Sequence, residues 1–387
     1  MRFGIDATGW LNRRGFGRFT RNAVSRLVAL DGESDYILLA DDHTSAQARF
    51  PPRAHVRTVS TSRPPAEAAA EGSNRAPRDM LRLVRTARTE RLDALLFPSL
   101  HTWFPSPGTP TCVGIHDTIP EDLPELAFPS RRDRTLWRVK QRLAVRSARR
   151  LFAVSDASRS AVSERFGIDP RSVAVVPEAP DPVFSPRGPG EIAEVRAAVG
   201  APERYILFAG GISPHKNVGG LVGAYATARK RLADPPALVL VGSLDDEVYA
   251  SAAADVRRRI SGLGLNGHVL LPGYVTDEAL ACLYSGASLV VSPSLGEGFG
   301  LPAVEAAACG APLVLSDLPA HRETMADDAV YVTPGNERAL ADAVVALLGD
   351  EELRRSFATR ARARVAPRTW DAAGTALAVL LRECARR

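Results

Sequence analysis

The chain has 387 residues, enough for two domains of ordinary size, each with its own core. Its 45% apolar and 24% charged content is that of a soluble globular protein. A net charge of +5 suits an anionic substrate but is far below a nucleic-acid footprint. Four scattered cysteines, Cys112, Cys282, Cys309 and Cys384, form no CxxC and pair with no histidine, so they read as small buried side chains in a reducing compartment rather than as zinc ligands or disulfides. Met1-Arg-Phe-Gly-Ile-Asp6 already reads as a strand and leaves no room for a signal peptide. No apolar run approaches the roughly 20 residues that span a bilayer. A cytoplasmic protein is expected.

In chain order, Arg2 to Ala7 reads as a strand, Gly9 to Gly17 as a loop, and Arg18 to Leu30 as a helix with apolar spacing at Phe19, Ala23, Leu27 and Leu30. Strands follow at 36–40 and 55–59. Thr61 to Pro77 has almost no large apolar residue and is expected to be a mobile loop. A helix at 79–89, strands at 94–97 and 111–115, a long basic helix from Arg131 to Arg150, a strand at 151–154, a Ser155-capped helix at 157–166 and a strand at 173–176 complete the first half. Pro177 to Gly190, with five prolines and two glycines, reads as a linker. The second half repeats the alternation, with strands at 205–209, 237–241, 269–271, 287–291 and 312–315. Helices are expected between them at 218–232, 246–263, 277–284 and 302–309, and after them at 337–348, 351–365 and 370–386. Such alternation predicts an α/β chain of parallel sheets with helices on both faces.

One stretch carries most of the chemistry: Ser292-Pro-Ser-Leu-Gly-Glu-Gly-Phe-Gly-Leu-Pro-Ala-Val-Glu305, followed by Ala306-Ala-Ala-Cys-Gly310. It lies between two short buried-strand runs. Pro302 suits the first turn of a helix, and Gly310 suits its left-handed end. Gly298 and Gly300 leave backbone N–H groups open at the start of that helix, which makes an anion site. Two carboxylates, Glu297 and Glu305, would repel a phosphate unless they bind the hydroxyls of its sugars. Together these features suggest a sugar nucleotide.

Glu297-Gly-Phe-Gly-Leu-Pro-Ala-Val-Glu305 resembles the E-x7-E signature of the retaining glycosyltransferases of family 4, and the resemblance extends from Gly4-Ile-Asp-Ala-Thr8 to Tyr331-Val-Thr-Pro334. It implies a GT-B fold: two Rossmann-like parallel-sheet domains facing across a cleft, the donor held mostly by the second. The boundaries expected are 1–180 for the first, joined by a C-terminal helix at about 370–387 that crosses back onto it, and 190–369 for the second. Glu305 would bind ribose hydroxyls, while Glu297 with the backbone of Gly298, Phe299, Gly300 and Leu301 would hold the donor sugar. Val113-Gly-Ile-His-Asp-Thr-Ile-Pro120 resembles the family's motif at the same place, which gives His116 a donor-sugar hydroxyl and the lining of the reacting centre. Asp117 would orient it or reach the acceptor.

Gly15 and Gly17 stand in a lone G-x-G, too weak for a dinucleotide fingerprint because Thr20 occupies the third glycine's place. The resemblance puts that loop beside the donor phosphate. In Phe208-Ala-Gly-Gly-Ile-Ser-Pro-His-Lys-Asn217, Lys216 offers a point charge to a diphosphate. Family members often carry an arginine shortly before this lysine. Here Gly210 and Gly211 stand at the candidate positions, which leaves one positive charge fewer, with Ser213, His215 or backbone N–H groups as the candidates to substitute. Tyr274 and Val275 resemble the segment that holds the nucleobase.

A retaining hexosyltransferase acting on a UDP- or GDP-linked sugar is therefore expected, with a glycan, lipid-linked or small-molecule hydroxyl as acceptor. The resemblance implies front-face attack, so no nucleophile is assigned and no metal or cofactor is required. Two rivals stand: a glycoside hydrolase using Glu297 and Glu305, and a non-catalytic nucleotide-sugar-binding paralogue. The basic helix 131–150, with nine Lys/Arg and one Asp, either rests on anionic lipid as a peripheral contact or is a solvated face. No nucleic-acid partner is expected.

Overall fold

The computed structural model describes residues 1–62, 76–243 and 250–386. The chain divides into two compact units, Met1–Glu178 with Thr369–Arg387, and Ala179–Arg368. Each is a parallel sheet with helices packed against it, the expected α/β class.

In the first unit β1 (Arg2–Asp6), β2 (Asp35–Asp41), β3 (Ala54–Val59), β4 (Ala94–Phe97), β5 (Thr111–Gly114), β6 (Arg150–Ala153) and β7 (Val173–Val175) form a seven-stranded sheet. Its order is β3-β2-β1-β4-β5-β6-β7, with every pair parallel. Strands such as Ala94-Leu-Leu-Phe97 are continuous apolar runs because both faces are covered. The last helix, Trp370–Ala385, lies against helix Gly15–Leu30. Gly374 lets the backbones approach, since a methyl there would stand 2.8 Å from the Arg26 carbonyl carbon and the Leu27 nitrogen. Ion pairs from Arg26 to Asp371 and from Arg382 to Asp31 tie the same faces.

In the second unit β8 (Tyr205–Ala209), β9 (Ala237–Val241), β10 (Val269–Gly273), β11 (Leu289–Ser292), β12 (Leu313–Ser316) and β13 (Val330–Val332) form a six-stranded sheet in the order β10-β9-β8-β11-β12-β13. These pairs too are parallel. Helices Val218–Arg229, Ala250–Gly262 and Glu337–Gly349 cover a core that includes Ile206, Phe208, Leu238 and Val291.

Several local expectations are corrected. Gly15 and Gly17 lie in the first turn of helix Gly15–Leu30, not in a preceding loop. A methyl at Gly17 would come within 2.0 Å of the Asn12 carbonyl oxygen, so the turn closes on the chain behind it. The basic helix ends at Ser147, because Arg149 bonds Thr111 through its N–H and Arg150 already belongs to β6. Helix Pro189–Val199 occupies part of the expected linker. It buries no residue, so no apolar period betrayed it, and Glu191 caps it by accepting from the Gly188 N–H at 3.0 Å. The expected loop 61–77 lies, apart from its ends, outside the described residues, as does the start of the helix expected at 246–263. All four cysteines are buried and unbridged.

Candidate active site

In both sheets the strand order reverses once, between β1 and β4 in the first and between β8 and β11 in the second. Ligands of open parallel sheets collect beyond the carboxyl ends of the strands at such a reversal. In the second unit the segments leaving β8 and β11 carry Lys216 and Glu297.

From β8 the chain runs through Gly210 and Gly211. The Gly210 N–H bonds the Val241 carbonyl at 3.0 Å, and Gly242 must lack a side chain because a methyl there would lie 2.0 Å from the Gly210 oxygen. Ser213 is buried, with its hydroxyl 3.3 Å from His215 Nε2. A single turn, Pro214–Lys216, then delivers the lysine, and Asn217 at φ +53° redirects the chain into helix Val218–Arg229. Two bonds lash this turn to the segment after β11: the Leu295 N–H donates to the His215 carbonyl at 2.7 Å, and Asn217 Nδ2 donates to the Pro293 carbonyl at 3.3 Å.

Lys216 Nζ donates to Glu297 Oε1 at 2.6 Å, and the Ser294 hydroxyl donates to the same oxygen at 2.7 Å. Burial alone would raise the Glu297 carboxyl. The Lys216 ammonium, the nearby His321 and the two hydrogen bonds outweigh it and hold the group down to about 2. Glu297 is therefore a carboxylate throughout the physiological range.

Beyond it, Gly300 takes φ +85° and starts helix Leu301–Ala308, with Pro302 in the first turn and Gly310 at φ +83° past its end. Phe299 is buried, and the Arg368 guanidinium sits 5.5 Å above its ring. Glu305 is buried inside the helix, whereas Glu297 precedes it. Tyr274 and Val275 follow β10 at the same end of the sheet, where the Gly242 N–H bonds the Gly273 carbonyl at 3.0 Å; the Tyr274 ring is half exposed.

Gly15, Gly17, His116 and Asp117 belong to the first unit. Gly15 and Gly17 flank Phe16, whose ring stacks on His101 at 5.3 Å, and Phe19 meets His116 edge-on at 4.8 Å. His116 Nε2 donates to the Pro98 carbonyl at 2.8 Å, which leaves Nδ1 as an acceptor of a hydroxyl proton. Burial lowers this imidazole to about 4, so it is neutral at pH 7. Asp117 Oδ1 accepts from the Ile119 N–H at 3.0 Å, which closes the turn after β5.

The sequence reading missed Ser294, His321, His101, Arg368 and Glu121. Ser294 was legible, three residues ahead of Glu297 in the quoted string. Glu121 was legible too, directly after the quoted Val113–Pro120 string; His101, His321 and Arg368 lie in unrelated stretches and reach their places only through the sheets. Glu121 is buried; its Oε1 accepts from Trp137 Nε1 at 2.5 Å, while Oε2 has no partner among the described residues. Burial, with a contribution from Asp117, raises its carboxyl to about 7 against the pull of Trp137 and Gln141. An acid whose folded-state value is raised loses stability as pH climbs from about 4.5 to 7. Glu121→Gln keeps an oxygen for Trp137, so it should stabilise the protein by about 1–3 kcal/mol at pH 8 and by little at pH 4. Thermal melts of both forms at the two pH values check this.

Two Rossmann-like parallel-sheet units, each with one reversal of strand order, define the class: a GT-B glycosyltransferase scaffold. Comparison with known proteins bears this out. A family model described as "Glycosyl transferases group 1" matches residues 192–364, and one described as "Glycosyltransferase Family 4" matches residues 13–184. Side by side they cover most of both units, and the chain belongs to the group 1 glycosyltransferases of family 4. It is 30% identical over 227 residues to the O-antigen chain mannosyltransferase B of Escherichia coli, covering 58% of each chain. It is 34% identical over 213 residues to the MMP alpha-(1->4)-mannosyltransferase of Mycolicibacterium hassiacum, covering 54% of this chain and 46% of that one. The match thus spans roughly half of these relatives' length. Among solved structures, sucrose-phosphate synthase of Thermosynechococcus elongatus superposes with a TM-score of 0.78 at 19% identity, over 99% of this chain and 98% of that one. HepE of Anabaena in complex with UDP and glucose gives 0.77 at 20%, over 99% of each chain.

Proposed function

We propose that the protein transfers a hexose from a UDP- or GDP-linked donor to a hydroxyl of a glycan, lipid-linked or small-molecule acceptor, with retention at the anomeric carbon and without a metal ion. The observation that carries this reading is the Lys216–Glu297 pair at 2.6 Å, part-buried beside the glycine-led N-terminus of helix Leu301–Ala308. The chemistry needs negative charge stabilised on a departing diphosphate while the sugar becomes oxocarbenium-like. Lys216 and the helix N-terminus supply that stabilisation. A diphosphate is a good leaving group, so no protein acid has to protonate it.

Glu297 and the backbone of Gly298 to Leu301 hold the donor sugar, Glu305 its ribose, Tyr274 and Val275 the base. His116 Nδ1 takes a sugar hydroxyl. Gly211 and Ser213 border the phosphates, and the donor phosphate itself assists deprotonation of the acceptor. The names of the relatives favour a mannosyl group, and HepE with bound UDP and glucose keeps a glucosyl group in view. A hydrolase is disfavoured on chemical grounds. Glu297, held at about 2, does not serve as its acid, and a pair split between the loop before a helix and the interior of that helix is poorly suited to straddle a glycosidic bond.

The deciding experiment incubates the protein in EDTA with UDP-, GDP- and ADP-sugars and scores free nucleoside diphosphate with and without acceptor. Acceptor-dependent release supports transfer. Binding without turnover favours a non-catalytic paralogue. For Glu305→Ala, donor affinity should fall about tenfold or more, with a smaller change in kcat; equal donor affinity removes it from the ribose.

Helix Arg131–Ser147 exposes Leu136, Val139 and Leu143 along one stripe among its arginines, while Trp137, Gln141 and Ala144 face inward. An apolar stripe bordered by cations fits an anionic bilayer surface. Among the described residues no helix is long and apolar enough to cross a membrane. Salt-sensitive flotation on anionic vesicles, lost in Leu136→Ser/Leu143→Ser, is expected; no flotation leaves the helix a solvated face.

A further inference from the structure

His321 sits at the heart of this site, yet the reaction as described does not use it. It lies on the short helix Pro319–Met325 after β12 and is fully buried. Its Nδ1 stands 2.8 Å from the Ser316 carbonyl, which can only accept, so Nδ1 carries the proton. Nε2 therefore presents a lone pair. That atom is buried and has no partner among the described residues. The ring edge bearing it faces Gly300, where a methyl would lie 2.8 Å from Cδ2 and 3.2 Å from Nε2. A buried nitrogen left this way is costly unless something completes it in another state.

The charges around the ring say what that state is. Glu297 and Lys216 are the charged side chains that act on it, Glu297 favouring its cation and Lys216 opposing it. Burial keeps the ring below its usual value while the lysine is in place. On helix Glu351–Val365, which packs behind, Arg360 and Arg364 both hold Asp328. On its own helix, Arg322 holds Asp317. Tyr331 of β13 donates to the His321 carbonyl, not to the ring.

Lys216, which stands at the phosphate approach, is neutralised by Glu297. A diphosphate that draws the ammonium away leaves Glu297 buried without a cation, a penalty of the kind that proteins relieve by moving a proton. We propose that binding of a nucleoside diphosphate is coupled to uptake of one proton by His321 Nε2, whose imidazolium then takes over from Lys216 as the cation beside Glu297. The proton comes from solvent, Nδ1 keeps its own, and Lys216 changes partner without losing one. His321 is a positioning residue in this scheme. It adds the positive charge that the Gly210-Gly211 approach does not carry. The inference rests on the donor reading above.

The direction with pH follows. The ring is neutral in the free protein and its pKa is raised in the complex, so affinity rises as pH falls from the bound to the free value and levels off below that. The nucleotide's terminal phosphate titrates near pH 6 and contributes its own slope, which is the same for wild type and variants and cancels in their difference. The experiment is calorimetric titration of UDP and of GDP into the full chain, wild type, His321→Phe and His321→Gln, in buffers of different ionisation enthalpy from pH 5.5 to 8.5. Wild type should take up more proton than either variant near pH 7. Its affinity advantage should be about tenfold at pH 6 and nearly absent at pH 8.5. Imidazole 15N shifts of the wild type, with and without nucleotide, read the same proton with no substitution, so a variant that fails to fold does not rescue the idea. Equal proton uptake in all three forms overturns it, as does a loss of affinity that is constant with pH, the mark of a ring that only wedges Gly300. If wild type binds neither nucleotide, the donor reading itself falls; binding without the proton sinks the His321 proposal alone.

Discussion

Replacing Lys216 with alanine is expected to lower turnover by about 10² or more, roughly 3 kcal/mol of transition-state stabilisation, with a smaller change in donor affinity. The asymmetry follows from the timing of charge. On the proposed reading, the diphosphate's charge is shared in the ground state with contacts to sugar and base, whereas in the transition state another negative charge develops next to Nζ. The substitution has a second consequence. Glu297 is 8% exposed and loses the ammonium that bonds it, which leaves His321 and the Ser294 hydroxyl alone against burial. A carboxyl held low in the folded state contributes stability above its unfolded value, and that stability is lost as pH falls from about 4.5 to 2. Lys216→Ala should therefore destabilise the protein by on the order of 1–3 kcal/mol at pH 7, with the gap closing towards pH 2–3. Lys216→Arg keeps the charge and should recover part of both losses. Turnover unchanged in Lys216→Ala would take this residue out of the chemistry.

Gly300→Ala should weaken nucleoside diphosphate binding by at least about tenfold and lower stability by about 2 kcal/mol. Two causes add. At φ +85° an L side chain is strained, and the new methyl would overlap His321 at 2.8 Å. The ring is fully buried and its Nδ1 is anchored, so the glycine loop must shift instead, and with it the N–H groups that the proposed reading gives to phosphate. Gly310→Ala is the control. It sits at φ +83° with nothing within 4 Å of the added methyl, so it should cost about 1–2 kcal/mol of stability and leave nucleotide affinity alone. Calorimetry and melts of the two variants side by side decide it. Equal effects on affinity would mean that the Gly300 loop is not where phosphate sits.

Much of the second unit was legible because its signals are local. Pro302 and Gly310 bracket a short helix, and the apolar runs at 287–291 and 312–315 have the length of buried strands, which the structure places at Leu289–Ser292 and Leu313–Ser316. Helix Pro189–Val199 was not legible, since an element that buries nothing leaves no period. β13 was not either: Val330-Tyr-Val332 is three residues long, and only pairing with β12 makes it a strand. In the candidate site, Lys216 and Glu297 each stood out, but their pairing across 81 residues did not.

The amino-acid order alone determined the alternation of elements, the glycine-led helix start and the two glutamates eight positions apart, because each of these depends on steric and hydrogen-bonding preferences acting within about a dozen residues. The tertiary structure decided which charges meet. Strand order puts β8 beside β11, and only then does an ammonium find its carboxylate. It also decided that His321 is buried against Gly300 with one nitrogen tied and the other open. Protonation states follow from desolvation and from neighbours brought together across the sheet, and neither can be read from a linear string.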